Sequence, residues 1–185
     1  MRGINMRQCW QLWEGALPKE KCEELIAICK SRELVDATIF AGKDYETVKD
    51  VRETQVAFVN DMQIKGIMMH YFNEANRNAF GIEIDYLPDS QYGEYSKGSF
   101  YNWHHDINWQ ADTPYDRKLS IVIQLSDPDD YDGGEFEFKN IVKPENFYKQ
   151  GSVLVFPSYL VHRVTEITRG QRKSLVNWIE GPRWR

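Results

Sequence analysis

The sequence has no long apolar run. No stretch approaches the roughly 20 residues of a helical membrane span, so a membrane-embedded helix is not expected. The opening MRGINMRQCWQLWEG lacks the apolar stretch and small-residue cleavage site of a secretory signal, and a cytoplasmic location is the expectation. Cysteine is scarce. Cys9, Cys22 and Cys29 are odd in number, form no CxxC pair and have no histidine nearby, which excludes a disulfide framework. Positive charge is also short, with 23 Lys and Arg against 28 Asp and Glu and a net charge of -5. A phosphate-tracking surface is normally basic. The densest basic group, Arg163, Arg169, Arg172, Lys173, Arg183 and Arg185, does not reverse that balance. The expected partner is therefore a protein, a peptide or a small molecule, not nucleic acid.

Repeats, low-complexity tracts and obvious linkers are missing too. The 185 residues are read as one domain (1–185), with a helix-rich part over about 1–88 and a β-core over about 89–182. Hydrophobic residues make up 42% and aromatics 14%, enough apolar surface to offset the entropy of ordering such a chain. Pro18 followed by KEKCEELIAICKS predicts a helix with Cys22, Leu25, Ile26 and Cys29 on one stripe. A second helix is expected from about Met62 to Phe80, and VRETQVAFV between them reads as a strand. Beyond these, SFYNWHHDINW, KLSIVIQLSD, GGEFEFKN, GSVLVFPS, LVHRVTEI and RKSLVNWIE are short β-rich runs. The turn-forming clusters DPDDYDGG, KPENFYKQGS and TRGQ separate them. The expected class is mainly β with a helical buttress (α+β), built as an antiparallel double sheet or jelly roll.

Histidine is rare enough to be informative. There are four, and three of them are His104, His105 and His162. In a strand, His104 and Asp106 share one face and His105 takes the other. His162 is the one downstream histidine that offers a third ligand. Two imidazoles and a carboxylate with open positions form the facial triad of non-haem iron(II) oxygenases. A zinc hydrolase uses the same three ligands with water in the fourth place. Ten residues after His162, Arg172 shares a strand face with Ser174, Val176 and Trp178. A guanidinium in an aromatic pocket is costly unless an acid pairs with it. Its fork and a nearby hydroxyl suit a carboxylate bound through both oxygens. Such a pocket holds a metal at one end and an acid at the other.

These residues fall into a recognisable pattern. The chain resembles the prolyl 4-hydroxylase-like branch of the 2-oxoglutarate/Fe(II) dioxygenases, most closely the bacterial and viral PKHD-type hydroxylases. The likeness is carried by Tyr95-x-x-Gly98-x-x-Tyr101-x-x-His104-x-Asp106, by LSDPDDYDGGEF (Leu125 to Phe136), by GSVLVFPS with His162-Arg-Val-Thr, and by RGQRKSLVNW (Arg169 to Trp178). The strand VRETQVAFV is similar to the family's first core strand.

The resemblance implies a double-stranded β-helix with Fe(II) on His104, Asp106 and His162, and 2-oxoglutarate and O2 as cosubstrates, ascorbate serving as reductant. Arg172 matches the basic residue that pairs with the distal carboxylate of 2-oxoglutarate, with Ser174 beside it and Tyr95 close to the cosubstrate. Gln124 stands where some relatives carry a second tyrosine, a departure that an amide donor would fill. Tyr101 and Trp178 are expected to line the substrate pocket. Asp132-Gly133-Gly134-Glu135 reads as a structural turn. The implied reaction hydroxylates an unactivated C–H bond, on a prolyl residue of a protein or peptide, with release of succinate and CO2. A free amino acid, a nucleic acid, or a non-catalytic binding role are the competing readings. Residues 39–49 and 108–116 are the expected mobile lids.

Overall fold

The run Leu119–Gln124 is buried throughout, which requires cover on both faces of its strand. The computed structural model, which describes residues 8–40, 45–46, 51–110 and 112–185, shows where that cover comes from. The first elements are β1 (Gln11–Trp13), α1 (Lys19–Lys30), β2 (Val35–Asp36), β3 (Ile39–Phe40), β4 (Tyr45–Glu46), β5 (Arg52–Glu53), β6 (Gln55–Val59) and α2 (Met62–Ala75). They are followed by β7 (Ser90–Ser96), β8 (Phe100–His104), β9 (Tyr115–Gln124), β10 (Tyr131–Gly133) and β11 (Phe136–Phe138). The series closes with β12 (Val153–Pro157), β13 (His162–Val164) and β14 (Ile167–Pro182). The main sheet has the order β1-β12-β9-β14-β7-β6-β2, with β10 attached to β14. A smaller sheet, β11-β13-β8-β5, faces it, and β3 pairs with β4. All of these pairings are antiparallel. This is a double-stranded β-helix with a helical buttress.

The period of two in the strands sorts side chains between two cores. One face of the main sheet packs Tyr92, Leu119, Ile121, Ile123, Leu175 and Ile179 against Cys22, Leu25, Ile64, Met68 and Phe72 of the helices. The other face packs Tyr95, Val122, Leu154 and Phe156 against Phe136, Phe138 and Val164 of the smaller sheet. Each fully buried Leu, Ile or Phe contributes about 1.5–3 kcal/mol. Polar residues on that second face, Ser120, Gln124, Arg172 and Ser174, forgo this stabilisation although each is buried.

Both helices follow from local chemistry. Pro18 enters α1 at φ -65°, and Cys22, Leu25 and Cys29 form its buried stripe. The Asp61 carboxylate caps α2 by accepting from the backbone N–H groups of Gln63 (2.9 Å) and Ile64 (3.1 Å). The expected helix to Phe80 is α-helical only to Ala75 and finishes in a wider π-helical turn, Asn76–Phe80, which ends at Gly81 with φ 61°.

Two expectations about strands are corrected. TRGQ does not separate strands: residues 167–182 form one strand whose first part pairs with β10 and whose remainder lies between β9 and β7. Gly170, at φ 72°, lets the strand continue there, because a Cβ would fall on the carbonyl oxygen of Asp130. Likewise β8 ends at His104, so Asp106 lies beyond the strand that carries His104. Of the expected lid 39–49, residues 41–44 and 47–49 lie outside the described residues, and the rest pair as β3 and β4.

Candidate active site

The pairing of β8 with β13 places His162 opposite His104. Asp106 reaches the same point from the turn after β8, where its backbone N–H donates to the Ser158 carbonyl at 2.9 Å. One ligand atom from each of these three residues lies within 4.8 Å of the other two. The Asp106 carboxylate stands 3.7 Å from His104 Nε2 and 3.6 Å from His162 Nε2. Each imidazole is tied at its other nitrogen, His104 Nδ1 to the Asn102 carbonyl at 2.7 Å and His162 Nδ1 to the Leu160 carbonyl at 2.9 Å. A carbonyl only accepts, so both rings carry their proton on Nδ1 and offer the Nε2 lone pair. Asp106 Oδ2 accepts from the Ser120 hydroxyl at 2.6 Å, and Ser120 Oγ lies 3.0 Å from Ser158 Oγ.

Electrostatics agree with a cation site. Burial, then the neighbouring His162, lowers the His104 pKa to about 3, which keeps the imidazole neutral. Burial alone would raise the Asp106 carboxyl. His162, His104, the Ser120 hydroxyl and Arg117 outweigh it, so Asp106 titrates below its ordinary range. Two imidazoles aimed through Nε2 and an ionised carboxylate are the donor set that a ferrous ion takes, so the residues present fit iron. The His162 ring is wedged among Phe136, Phe138 and Phe156, and the Tyr101 ring stacks on His104 at 3.4 Å between centroids. Burial pushes the Tyr101 hydroxyl up to about 12.

An inner chamber of about 40 Å³ runs from the three ligands to Arg172, lined also by Tyr95, Tyr101, Phe136, Ser174 and Trp178. Strand register builds its wall: Ser174 faces Gln124 on one side and Gly93 on the other, and Arg172 faces Tyr95. Arg172 is 2% exposed, yet among the described residues no carboxylate pairs with it, and the Tyr95 ring lies 5.6 Å from its guanidinium. Its stem passes Gly134, where a Cβ would come within 3.0 Å of Arg172 Cδ and would also fall on the Ile167 side chain. The Asp132–Glu135 segment is therefore a close-approach turn, with Gly133 and Gly134 both at positive φ. Gln124 does not line the chamber. It is 1% exposed, and its amide meets the Tyr131 hydroxyl.

Outside the three ligands a groove of about 940 Å³ opens, and residues 108–110, Thr113, Tyr115 and Asp116 line one of its sides. Arg52, Gln91, Tyr101 and Trp178 line both spaces. Sequence reasoning missed Arg52, which is 7% exposed, lies 4.5 Å over the Tyr101 ring and leaves its buried Nε without a partner among the described residues. Next to Glu53 it reads as a solvated edge charge, and only the pairing of Arg52 with Tyr101 across β5 and β8 reveals it. Arg117, 4.1 Å over the Trp178 ring, was missed for the same reason. Ser120 did leave a trace, as a hydroxyl interrupting the apolar run of β9.

Two imidazoles and a carboxylate at the mouth of a double-stranded β-helix, with a buried cation behind them, define the non-haem iron oxygenase class. The family model of the 2OG-Fe(II) oxygenase superfamily matches residues 90–180. The chain is 37% identical over 177 residues to a PKHD-type hydroxylase of Hyphomonas neptunium, covering 90% of this chain and 76% of that one. It belongs to the 2OG-Fe(II) oxygenase superfamily, with the PKHD-type hydroxylases, and is a 2-oxoglutarate-dependent iron dioxygenase. Its fold is similar to that of a Pseudomonas putida prolyl-4-hydroxylase, with TM-score 0.72, 22% identity and coverage of 95% and 94% of the two chains. It is also similar to a prolyl hydroxylase from Trichoplax adhaerens solved with a hypoxia inducible factor peptide, with TM-score 0.72, 16% identity and coverage of 92% and 83%. Among the described residues no helix is long and apolar enough to cross a membrane.

Proposed function

We propose that His104, Asp106 and His162 bind Fe(II), that Arg172 with Ser174 and Tyr95 receives the distal carboxylate of 2-oxoglutarate, and that the enzyme hydroxylates a prolyl residue in a polypeptide. The observation that carries the cosubstrate reading is Arg172, a guanidinium 2% exposed with no carboxylate partner among the described residues. A charge buried this way is stable only with an acid beside it. Bound by the three ligands, ferrous iron supplies O2 activation and the oxidising power to insert oxygen into an unactivated C–H bond, while 2-oxoglutarate leaves as succinate and CO2.

The chain's residues do the remainder. The tied Nδ1 atoms keep both imidazoles aimed, and the Ser120 hydroxyl holds Asp106 in place. Phe136, Val122 and Val176 keep the chamber dry. Tyr101 and Trp178 stand between groove and chamber, where a substrate side chain enters. The groove, about 940 Å³ and lined by Val35, Phe58, Trp109 and Tyr115 among others, is larger than a free amino acid fills. Asp36, Asp116 and Glu180 line it, which disfavours a phosphate backbone. A peptide is the substrate form these features support, as in the relative solved with a peptide.

The test is anaerobic loading with Fe(II) and 2-oxoglutarate, admission of O2, and quantification of succinate by NMR, with and without proline-containing peptides. Succinate formation that such peptides stimulate, with a mass gain of one oxygen on proline, is the expected result. Succinate with no peptide stimulation points to another substrate. Absence of both turnover and Fe(II)-dependent 2-oxoglutarate binding in folded protein would leave a binding module.

A further inference from the structure

The chamber and the groove share few side chains. Besides the ligands His104 and Asp106, those that line both are Arg52, Gln91, Tyr101 and Trp178. A side chain common to two adjoining spaces stands at their junction, where a substrate passes to reach the three ligands. Three of the four are engaged with neighbours. The Tyr101 ring stacks on His104 and carries the Arg52 guanidinium at 4.5 Å, and Arg117 lies 4.1 Å over the Trp178 ring. Gln91 differs. It is 6% exposed, yet its amide makes no hydrogen bond to any other side chain or to the backbone among the described residues.

Strand register fixes where this amide sits. Gln91 is paired with Val176 of β14 on one side and with Phe58 of β6 on the other. Val176 lines the chamber and Phe58 lines the groove. Alternation along β7 puts Gln91 on the face of Gly93 and Tyr95, whereas Tyr92 points into the core under the helices. With Val176 and Phe58 as cross-strand neighbours, an apolar side chain would pack here. A primary amide gives up that stabilisation and keeps its own hydrogen-bonding groups for whatever enters the junction.

The chemistry of those groups narrows what that is. A primary amide offers two N–H donors and a carbonyl acceptor, whereas guanidinium and indole only donate. Gln91 therefore brings to the junction a carbonyl that Arg52 and Trp178 lack. A ligand group that both gives and takes an N–H bond is a secondary amide, the repeating unit of a polypeptide main chain. A carboxylate or phosphate only accepts, and a hydrocarbon does neither. A prolyl nitrogen carries no hydrogen, so the N–H in question belongs to a residue beside the prolyl.

We propose that Gln91 is a specificity-determining residue whose amide pairs, through both its halves, with the N–H and C=O of the substrate main chain next to the oxidised residue. The inference rests on the reading of the groove as a polypeptide site. It adds which part of the polypeptide is read at the junction, the backbone beside the target.

The probe is a pool of blocked peptides with proline at the centre and two randomised residues on each side. Two matched pools carry an ester oxygen in place of the N–H of the residue before or the residue after proline. Peptide-dependent succinate formation and the mass gain of one oxygen are followed with wild type, Gln91→Leu and Gln91→Glu. On wild type, one of the ester pools is expected to lose about 10-fold in kcat/KM. Gln91→Leu loses about 10-fold on the all-amide pool, mainly through KM, and no longer discriminates against the ester. Gln91→Glu retains an acceptor of the same shape and retains the discrimination.

The wild-type comparison needs no variant, and Gln91→Glu guards against a folding defect in Gln91→Leu. Equal rates on all three pools with wild type, or an undiminished ester penalty in Gln91→Leu, would overturn the inference and leave a polypeptide hydroxylase. Oxidation of no peptide in any pool would overturn the polypeptide reading, and this inference with it.

Discussion

The two ends of the inner chamber are built on opposite plans. At the metal end every auxiliary atom is already engaged: both Nδ1 atoms meet carbonyls, and Asp106 receives the Ser120 hydroxyl and stands on the Ser158 carbonyl. These bonds aim the three ligand atoms at one point, the Asp106 carboxylate standing 3.7 and 3.6 Å from the two Nε2 atoms. At the other end Arg172 is buried without a counter-charge among the described residues. One end is aimed by bonds within the protein, and the other presents a buried cation to which a carboxylate is proposed to bind. A cation site pre-assembled in this way loses little entropy on binding, whereas the acid end exchanges a standing electrostatic penalty for affinity.

Substitutions at the two ends should therefore differ in sign as well as in size. The largest effect is expected from His162→Ala, which removes a ligand: Fe(II) or Mn(II) affinity falls by more than about 100-fold, beyond the usual effect of an outer-shell change, and succinate formation stops. Metal titration by calorimetry reads it, and retention of tight metal binding would break the assignment of this end. Arg172→Met is expected next, with 2-oxoglutarate affinity down about 100-fold through loss of charged hydrogen bonds while the ligand-free protein gains about 1 kcal/mol from removal of an unpaired buried charge. Affinity and thermal melting read the two halves separately. A lower melting temperature would show that the guanidinium is already compensated and would dissolve the contrast.

Gly134→Ala sharpens it from another side. Strain at φ 64° and the collision with Ile167 and Arg172 are expected to cost about 1–3 kcal/mol, and the displaced guanidinium to weaken 2-oxoglutarate more than metal. Equal loss of both ligands would mean that the two ends share one support. The smallest effect is expected from Ser120→Ala, about 10-fold in metal affinity with 2-oxoglutarate contacts at Arg172 untouched, as measured in the same titrations.

Much of this was legible in the chain. His104, Asp106 and His162 stand out because histidine is rare here, and strand alternation alone puts Arg172, Ser174 and Trp178 on one face. The helical stripe of α1 and the burial of β9 follow from their periods of apolar residues. What escaped has one physical cause: it depends on residues far apart in sequence meeting across a sheet. Ser120 and Ser158, separated by 38 positions, give no joint signal. Arg52 reaches the site only because β5 pairs with β8. Asp106 meets His104 by the turn after β8, so the same-face argument brought the two together through a geometry the chain does not use.

The position of β14 also bears on how the molecule assembles. Its central segment is hydrogen-bonded to β9 on one side and β7 on the other, yet it is translated after both. Until residues 167–182 are in place, β1-β12-β9 and β7-β6-β2 are two separate ribbons with open edges facing each other. Such a keystone makes folding depend on contacts of high sequence separation, which is slow, and leaves unpaired apolar edges available to other nascent chains. Arg172 travels on that keystone, so the proposed acid receptor is formed in the same event that joins the ribbons.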